Sequence, residues 1–354
     1  MIEKHVVSRD DSIYEAWPDV TLTPSGRMVC VFSECTHHND RSYTRIVLTD
    51  STDRGRTWSP KRPLTEGTHD PTNYWNTARI SRLPDGRLVA AADRLLAPED
   101  DAALKECRIC LFFSEDDGAT WSEAVETSLF GICPDKLLEL DSGRWILSCH
   151  HKDRESGNGI PRLWYSDDRG ASWQGPAIVA EDDDLDLTEA SILPVGDNLV
   201  AFLREESRRG LDCFKTVSSD GGETWGEVVP FPLPGCHRPI SGWLNDGRIL
   251  ITYRMCQGRK GRGWWTQNFL AALTDRESAL ADTRRGARTR ILPLDFDRSP
   301  CADTGYSGWV QFDDGEFYIV NYIVDDAPNG QIRGYSLGMS DFILEDPPCG
   351  QPQR

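Results

Sequence analysis

No stretch of the 354-residue sequence approaches the roughly 18 consecutive apolar residues that a helix needs to cross a bilayer, so no helical membrane span is expected. Residues 1–20, MIEKHVVSRDDSIYEAWPDV, lack both the basic start and the apolar core of a secretory leader. Positive charge is also in deficit: 39 Lys and Arg face 57 Asp and Glu, a formal net charge of −18. A field of that sign repels phosphate backbones and anionic lipid, so neither nucleic acid nor a membrane is an expected partner. Paired cysteine motifs are nearly missing. Of 11 Cys only Cys107 and Cys110 form a CxxC, with no second pair at zinc-finger spacing, while others sit in apolar runs such as MVCVF and RWILSCH. They read as buried thiols of a reducing compartment, and a cytoplasmic location is expected. Helical periodicity is scarce throughout.

What is present is apolar material and repetition. Hydrophobic residues make up 38% of the chain, with 12 Trp, 12 Phe and 9 Tyr, enough for a sizeable core. A turn followed by an apolar strand recurs as TPSGRMVCVF from Thr23, LPDGRLVAAA from Leu83 and LDSGRWILSC from Leu140. It returns as LPVGDNLVAF from Leu193, LNDGRILITY from Leu244 and FDDGEFYIVNY from Phe312. The spacing of about 50–70 residues is that of a four-stranded blade. A second motif, SxDxGxxW, runs from Ser51 to Trp58, Ser114 to Trp121, Ser166 to Trp173 and Ser218 to Trp225. Its chemistry is structural: Ser and Asp close the turn onto backbone N–H groups, Gly supplies positive φ, and Trp packs between strands. Asp53, Asp116, Asp168 and Asp220 are therefore read as fold staples. Thr274-Asp275-Arg276-Glu277 replaces the motif in the fifth repeat, and the sixth has only Gly334 to Ser340 there.

These patterns predict an all-β fold: one six-bladed β-propeller of four-stranded antiparallel blades across residues 1–354. Too little sequence follows Asp341 for a last outer strand, so residues 2–8 are expected to supply it and protect an open edge.

The topology then dictates where function belongs. If the first strand of each blade is innermost, the DG turn and the SxDxGxxW turn share one face. The starts of first strands and the connections from second to third strands share the other. The starts carry Asp19, Trp75, Asp135, Glu189, His237, Arg238, Asp303 and Tyr306; the connections carry Glu34, Asp40, His150, Arg204 and Arg254. Asp19 and Asp135 sit at repeated positions that suit caps between blades as well as ligand contacts. The vicinal pairs His37–His38 and His150–His151 point to opposite faces of a strand, so neither presents two ligands inward, and no metal or cofactor is expected.

At this point the chain resembles the sialidase superfamily, whose BNR or Asp-box repeats match the four SxDxGxxW copies. That family pairs a Tyr nucleophile with a Glu base, uses an Asp as acid, and binds a carboxylate with three Arg. By resemblance Tyr306 is the nucleophile, Glu189 its base and Asp40 the acid. Arg204, Arg254, His237, Arg238, Glu34, Trp75, His150 and Asp303 are the candidate substrate contacts. The first strand reads Ala16-Trp17-Pro18 where the family has Arg-Ile-Pro, and Trp264-Trp265-Thr266-Gln267 occupies the usual place of the third Arg. Arg238, Arg254 or Arg262 is left to complete the set. The resemblance thus implies hydrolysis of an acidic or polyhydroxylated sugar other than ordinary N-acetylneuraminic acid. Two alternatives stay open: a propeller polysaccharide lyase or His-dependent glycosidase built on His237, His150 and Tyr306, and a non-catalytic glycan-binding propeller.

Overall fold

The computed structural model describes residues 2–96, 106–152, 157–207, 209–259 and 262–342, with backbone alone at 258–259 and 262–265. Six four-stranded antiparallel sheets form the six blades of a β-propeller. The first blade joins Tyr14–Leu22, Met28–His37, Asp40–Ser51 and Arg62–Pro63, and its DG-type turn connects the first two strands. The inner strands of later blades begin at Asn73, Leu138, Leu187, Cys236 and Thr304. Because each blade is covered on both faces by its neighbours, middle strands are apolar almost without alternation, as in Phe317–Ile323, which is buried throughout. Outer strands such as Val125–Phe130 are mostly exposed.

The expected closure is present. Glu3–Ser8 pairs antiparallel with Gln331–Leu337 and becomes the fourth strand of the sixth blade, with Glu3 opposite Ser336 and Lys4 opposite Tyr335. Lys4 adds an ion pair of 2.5 Å to Asp295 of the fifth blade.

In the SxDxGxxW turns the hydrogen bonds follow from the motif. Asp53 accepts from the Thr57 N–H and hydroxyl, the Gly55 N–H donates to Ser51 Oγ at 2.8 Å, and Trp58 Nε1 donates to the Gly55 carbonyl. The same set recurs around Asp116 and Asp220. In the fifth blade Asp275 instead caps the short helix Arg276–Leu280 through the Ser278 N–H. These turns meet the DG turns of adjacent blades. Ser25 and Arg27 of the first blade bond Asp117 of the second, Arg144 of the third reaches Glu223 of the fourth, and Arg54 of the first pairs with Asp314 of the sixth. One face of the disc is thus occupied by structural contacts, which leaves the opposite face for a site.

Asp19 and Asp135 do tie blades together. Asp19 accepts from the Ile80 N–H of the second blade at 2.9 Å and lies 3.4 Å from Arg79 and 3.2 Å from Lys136. Asp135 accepts from the Ile192 N–H of the fourth blade. Asp19 and Arg79 are both buried, and an uncompensated buried guanidinium is costly. Asp19→Ala should lower the unfolding free energy by about 3–5 kcal/mol, read as a reduced urea midpoint. Asp116→Ala, on the far face, should lower the melting temperature while leaving the specific activity of folded protein unchanged; a loss of activity at constant folded fraction would contradict the assignment of faces.

Candidate functional site

The inner strands do not run regularly to the axis. Register breaks interrupt them between Ala16 and Asp19, Trp75 and Ala78, Thr188 and Ala190, His237 and Ile240, and Gly305 and Gly308. A bulge adds a residue without a cross-strand partner and re-aims its side chain. At three of them a bulky residue takes left-handed backbone: Trp17 at φ 55°, Arg238 at φ 49° and Tyr306 at φ 53°. Such conformations cost about 1–3 kcal/mol each and persist only where the surroundings enforce them. Gly305 precedes Tyr306 for a visible reason: at φ 110°, a Cβ there would stand 2.6 Å from Arg254 Cβ.

The bulge carries Tyr306 into the channel, where its hydroxyl donates to Glu189 Oε1 from the fourth blade. Arg204 Nη1 lies 2.6 Å from Glu189 Oε2 and 3.3 Å from the Tyr306 hydroxyl. The guanidiniums of Arg238 and Arg254 stand 5.4 and 5.6 Å from the centre of the Tyr306 ring. Burial alone would raise the Glu189 pKa, yet the charges of Arg204 and Arg238 and the bond from Tyr306 outweigh it and hold this carboxyl well below its usual range. Burial, with Cys133 and Glu189 nearby, pushes the Tyr306 phenol well above its ordinary value, against the pull of Arg204 and Arg254. At neutral pH the resting pair is therefore a phenol donating to a carboxylate.

A second network lies beside it. Asp303 accepts from the Tyr14 hydroxyl at 2.5 Å and the Tyr322 hydroxyl at 2.8 Å, with His38 Nδ1 at 2.5 Å and Arg254 Nη1 at 3.6 Å. Burial opposes ionisation of Asp303, but the His38 bond, the charges of His38 and Arg254, and the Tyr14 bond hold its pKa down at about 2. Both networks face one cavity of about 620 Å³. It is of small-molecule size and lined by ionisable and aromatic groups.

Among the sequence-selected residues, Arg204, Arg254, His237, Asp303 and Tyr306 line this cavity, with Glu189 directly behind Tyr306. Arg238 lies beneath, fully buried, donating to the carbonyls of Cys133 and Pro134; this support position, not a wall, is where the His237–Ile240 bulge leaves it. His150 is buried near Glu189, with Nδ1 unpartnered among the described residues, and burial draws its pKa down to about 4, so it is neutral at pH 7.

Three placements differ from expectation. Asp40 is exposed on the far side of the first blade's hairpin, where its carboxylate accepts from the Ser42 N–H, because the turn at His38 and Asn39 directs those residues inward instead. Glu34 is buried in an ion cluster with Arg45 and Lys61, away from the cavity. Trp75 packs beside Phe112 at 5.6 Å, with Arg94 over its ring. The side chains of Arg262, Trp264 and Trp265 lie outside the described residues. The cavity also contains Tyr14, His38, Glu206 and Gln267. Glu206 pairs with Arg204, and Gln267 accepts from Arg254 at 3.2 Å. Tyr14 offers no sequence signal beyond lying three residues before Trp17, since the cavity forms across the seam between the first and sixth blades.

A family model described as a BNR repeat-like domain matches residues 69–319. An anhydrosialidase from Macrobdella decora is 30% identical over an alignment of 139 residues that covers 34% of this chain and 17% of that protein. The matched region thus spans less than a fifth of the relative's length. Among solved structures, a protein of unknown function from Dyadobacter fermentans superposes with a TM-score of 0.79 at 21% identity, covering 95% of this chain and 99% of the other. A leech intramolecular trans-sialidase gives 0.67 at 14%, covering 94% and 69%. An α-L-arabinofuranosidase from Fusarium graminearum gives 0.65 at 13%, covering 96% and 98%. At these identities the superpositions speak for the fold alone.

The depressed pKa of His150 has a consequence for stability. The unfolded chain takes up a proton near pH 6.5 that the folded protein takes up only near pH 4, so stability falls as pH is lowered through that window. The slope from this one group is at most about 1.4 kcal/mol per pH unit. His150→Gln should flatten the dependence of the urea midpoint on pH between 6.5 and 4 while leaving the further fall toward pH 2, to which Asp303 contributes, in place.

Proposed function

This chain belongs to the BNR repeat-like domain family, and from that premise we propose that it is a glycoside hydrolase in which Tyr306 is the nucleophile and Glu189 its proton acceptor. The observation that carries the reading is the contact between the Tyr306 hydroxyl of the sixth blade and the Glu189 carboxylate of the fourth, at the wall of the cavity. A tyrosine is a poor nucleophile as a phenol, and a carboxylate in hydrogen-bond contact removes its proton as the bond to the sugar forms. Arg204 bonds the Tyr306 oxygen and the second oxygen of the Glu189 carboxylate, and stabilises the negative charge while it passes between the two groups. A tyrosine nucleophile is a recognised departure from the two-carboxylate scheme of glycosidases.

The charges in the cavity bear on the substrate. Arg204 is paired with Glu189 and Glu206, and Arg254 stands 3.6 Å from Asp303. Both guanidiniums therefore already have anionic neighbours, which favours a polyhydroxylated sugar over one held mainly by its carboxylate. Tyr14, Gln267 and His237 add polar groups to the wall that suit hydroxyls. We read residues 1–354 as a single catalytic propeller, and the nine cysteines buried among the described residues as reduced thiols of a cytoplasmic protein.

The test is a panel of 4-nitrophenyl glycosides, including α-L-arabinofuranoside and N-acetylneuraminide, supplemented by acidic oligosaccharides. Turnover is expected on a member other than the N-acetylneuraminide. Tyr306→Phe should lower kcat on the order of 10³-fold or more and Glu189→Gln by roughly 10²–10⁴-fold. A product absorbing in the near ultraviolet would establish elimination in place of hydrolysis, and saturable binding without turnover would establish a binding module.

A further inference from the structure

Departure of a sugar's aglycone requires a proton at the glycosidic oxygen, and the carboxyl groups of this cavity are poorly suited to deliver it. Asp303 accepts from two tyrosine hydroxyls with His38 and Arg254 beside it, and is held ionised well below neutral pH. Glu206 is paired with Arg204, and Glu189 is already committed to Tyr306. Asp40 faces away. What remains at the wall is an imidazole set by a carboxylate. His38 Nδ1 lies 2.5 Å from Asp303 Oδ2, and the Trp17 ring stands edge-on at 5.3 Å. With Nδ1 engaged, Nε2 is the nitrogen available to the cavity that His38 lines, and its side chain keeps 34% of its exposure.

Building on the hydrolase reading above, we propose that His38, oriented by Asp303, is the acid–base residue of the site. In the first step the Tyr306 oxygen bonds to the anomeric carbon as its proton passes to Glu189. The bond from that carbon to the leaving oxygen breaks, and His38 Nε2 gives its proton to the departing oxygen. In the second, water attacks the same carbon and the bond to Tyr306 breaks. Nε2 takes a proton from the water, and Glu189 returns its own to the phenolate oxygen. Every proton is restored, and no further reactant is needed. Asp303 is a positioning residue: it selects the tautomer and stabilises the imidazolium, and Tyr14 and Tyr322 fix the carboxylate in turn. Tyr14 and His37 also pack close by, with ring centres of Tyr14 and His38 6.4 Å apart.

The experiment compares two leaving groups on whichever sugar the panel identifies, using the full chain. A 4-nitrophenyl glycoside expels a stable anion and needs little protonation, whereas the methyl glycoside needs it fully. His38→Gln should lower turnover of the methyl glycoside by roughly 10²–10⁴-fold and that of the 4-nitrophenyl glycoside by less than about tenfold. Asp303→Asn should show the same split in milder form. His237→Gln, a wall residue without this role, should lower both alike. Tyr306→Phe should abolish both. Equal losses on the two glycosides in His38→Gln, or no loss on either, overturn the proposal while leaving the Tyr306 reading intact. Full activity in Tyr306→Phe, or a wild-type protein that turns over no member of the panel, removes the hydrolase reading and this proposal with it. A further readout needs no substrate: in histidine-labelled protein a downfield Nδ1 proton resonance should be present, and be lost in both His38→Gln and Asp303→Asn. Its absence from the wild type overturns the pairing.

Discussion

The site depends on the seam where the ring closes. Glu3–Ser8 is held by Gln331–Leu337 in the sixth blade, and a few residues later the same chain enters the first blade at Tyr14. That short path fixes the first blade against the sixth, and the contacts that matter chemically cross the junction: Tyr14 and His38 from one side meet Asp303 from the other. Hydrogen bonds of 2.5 Å tolerate little sliding between blades. An open edge would also present an unpaired strand to other molecules. Closure therefore serves both solubility and geometry.

Across the inner strands of its blades the molecule maintains a high density of buried charge. Arg79, Arg204, Arg238 and Arg254 are all buried, as are Asp19, Asp135 and Glu189. Desolvating such groups costs several kcal/mol each and is offset only when partners are near and well directed. Here the partners come from different blades: Arg238 donates to carbonyls of the third blade, and Arg79 to Pro18 and Ser307 of the first and sixth. The cations serve two ends at once, tying neighbouring blades together and setting the field in which the Tyr306 phenol donates to the Glu189 carboxylate.

The fold was legible because it is written in repeats. Turn chemistry at Asp53 or Asp116 depends on residues four positions away, which spacing alone reveals. The site was legible in part. Tyr306, Glu189, Arg204 and Arg254 could be selected because strand ends near an axis must converge. Their partners depend on bulges, which shift the two-residue alternation without an obvious mark. Asp40 shows the limit of resemblance: its place in the connection toward the first Asp box suggests an acid, but the strand restarts at Asp40, and the turn residues His38 and Asn39 line the cavity instead. Glu34 was lost for a different reason, since its partner Lys61 comes from a connection whose path the pattern does not encode.

The seam also has a consequence in time. His5 and Ser336, side by side in the finished sheet, are 331 residues apart along the chain. At a synthesis rate of roughly 5–20 residues per second, Glu3–Ser8 waits on the order of 20–60 s for the strand that receives it. Blades one to five have their own four strands and can form as they emerge, but the sixth cannot be completed before Gln331–Leu337 has emerged. Asp303 and Tyr306 lie in that last portion. A nascent chain interrupted before the sixth blade therefore carries stacked blades but no assembled pocket.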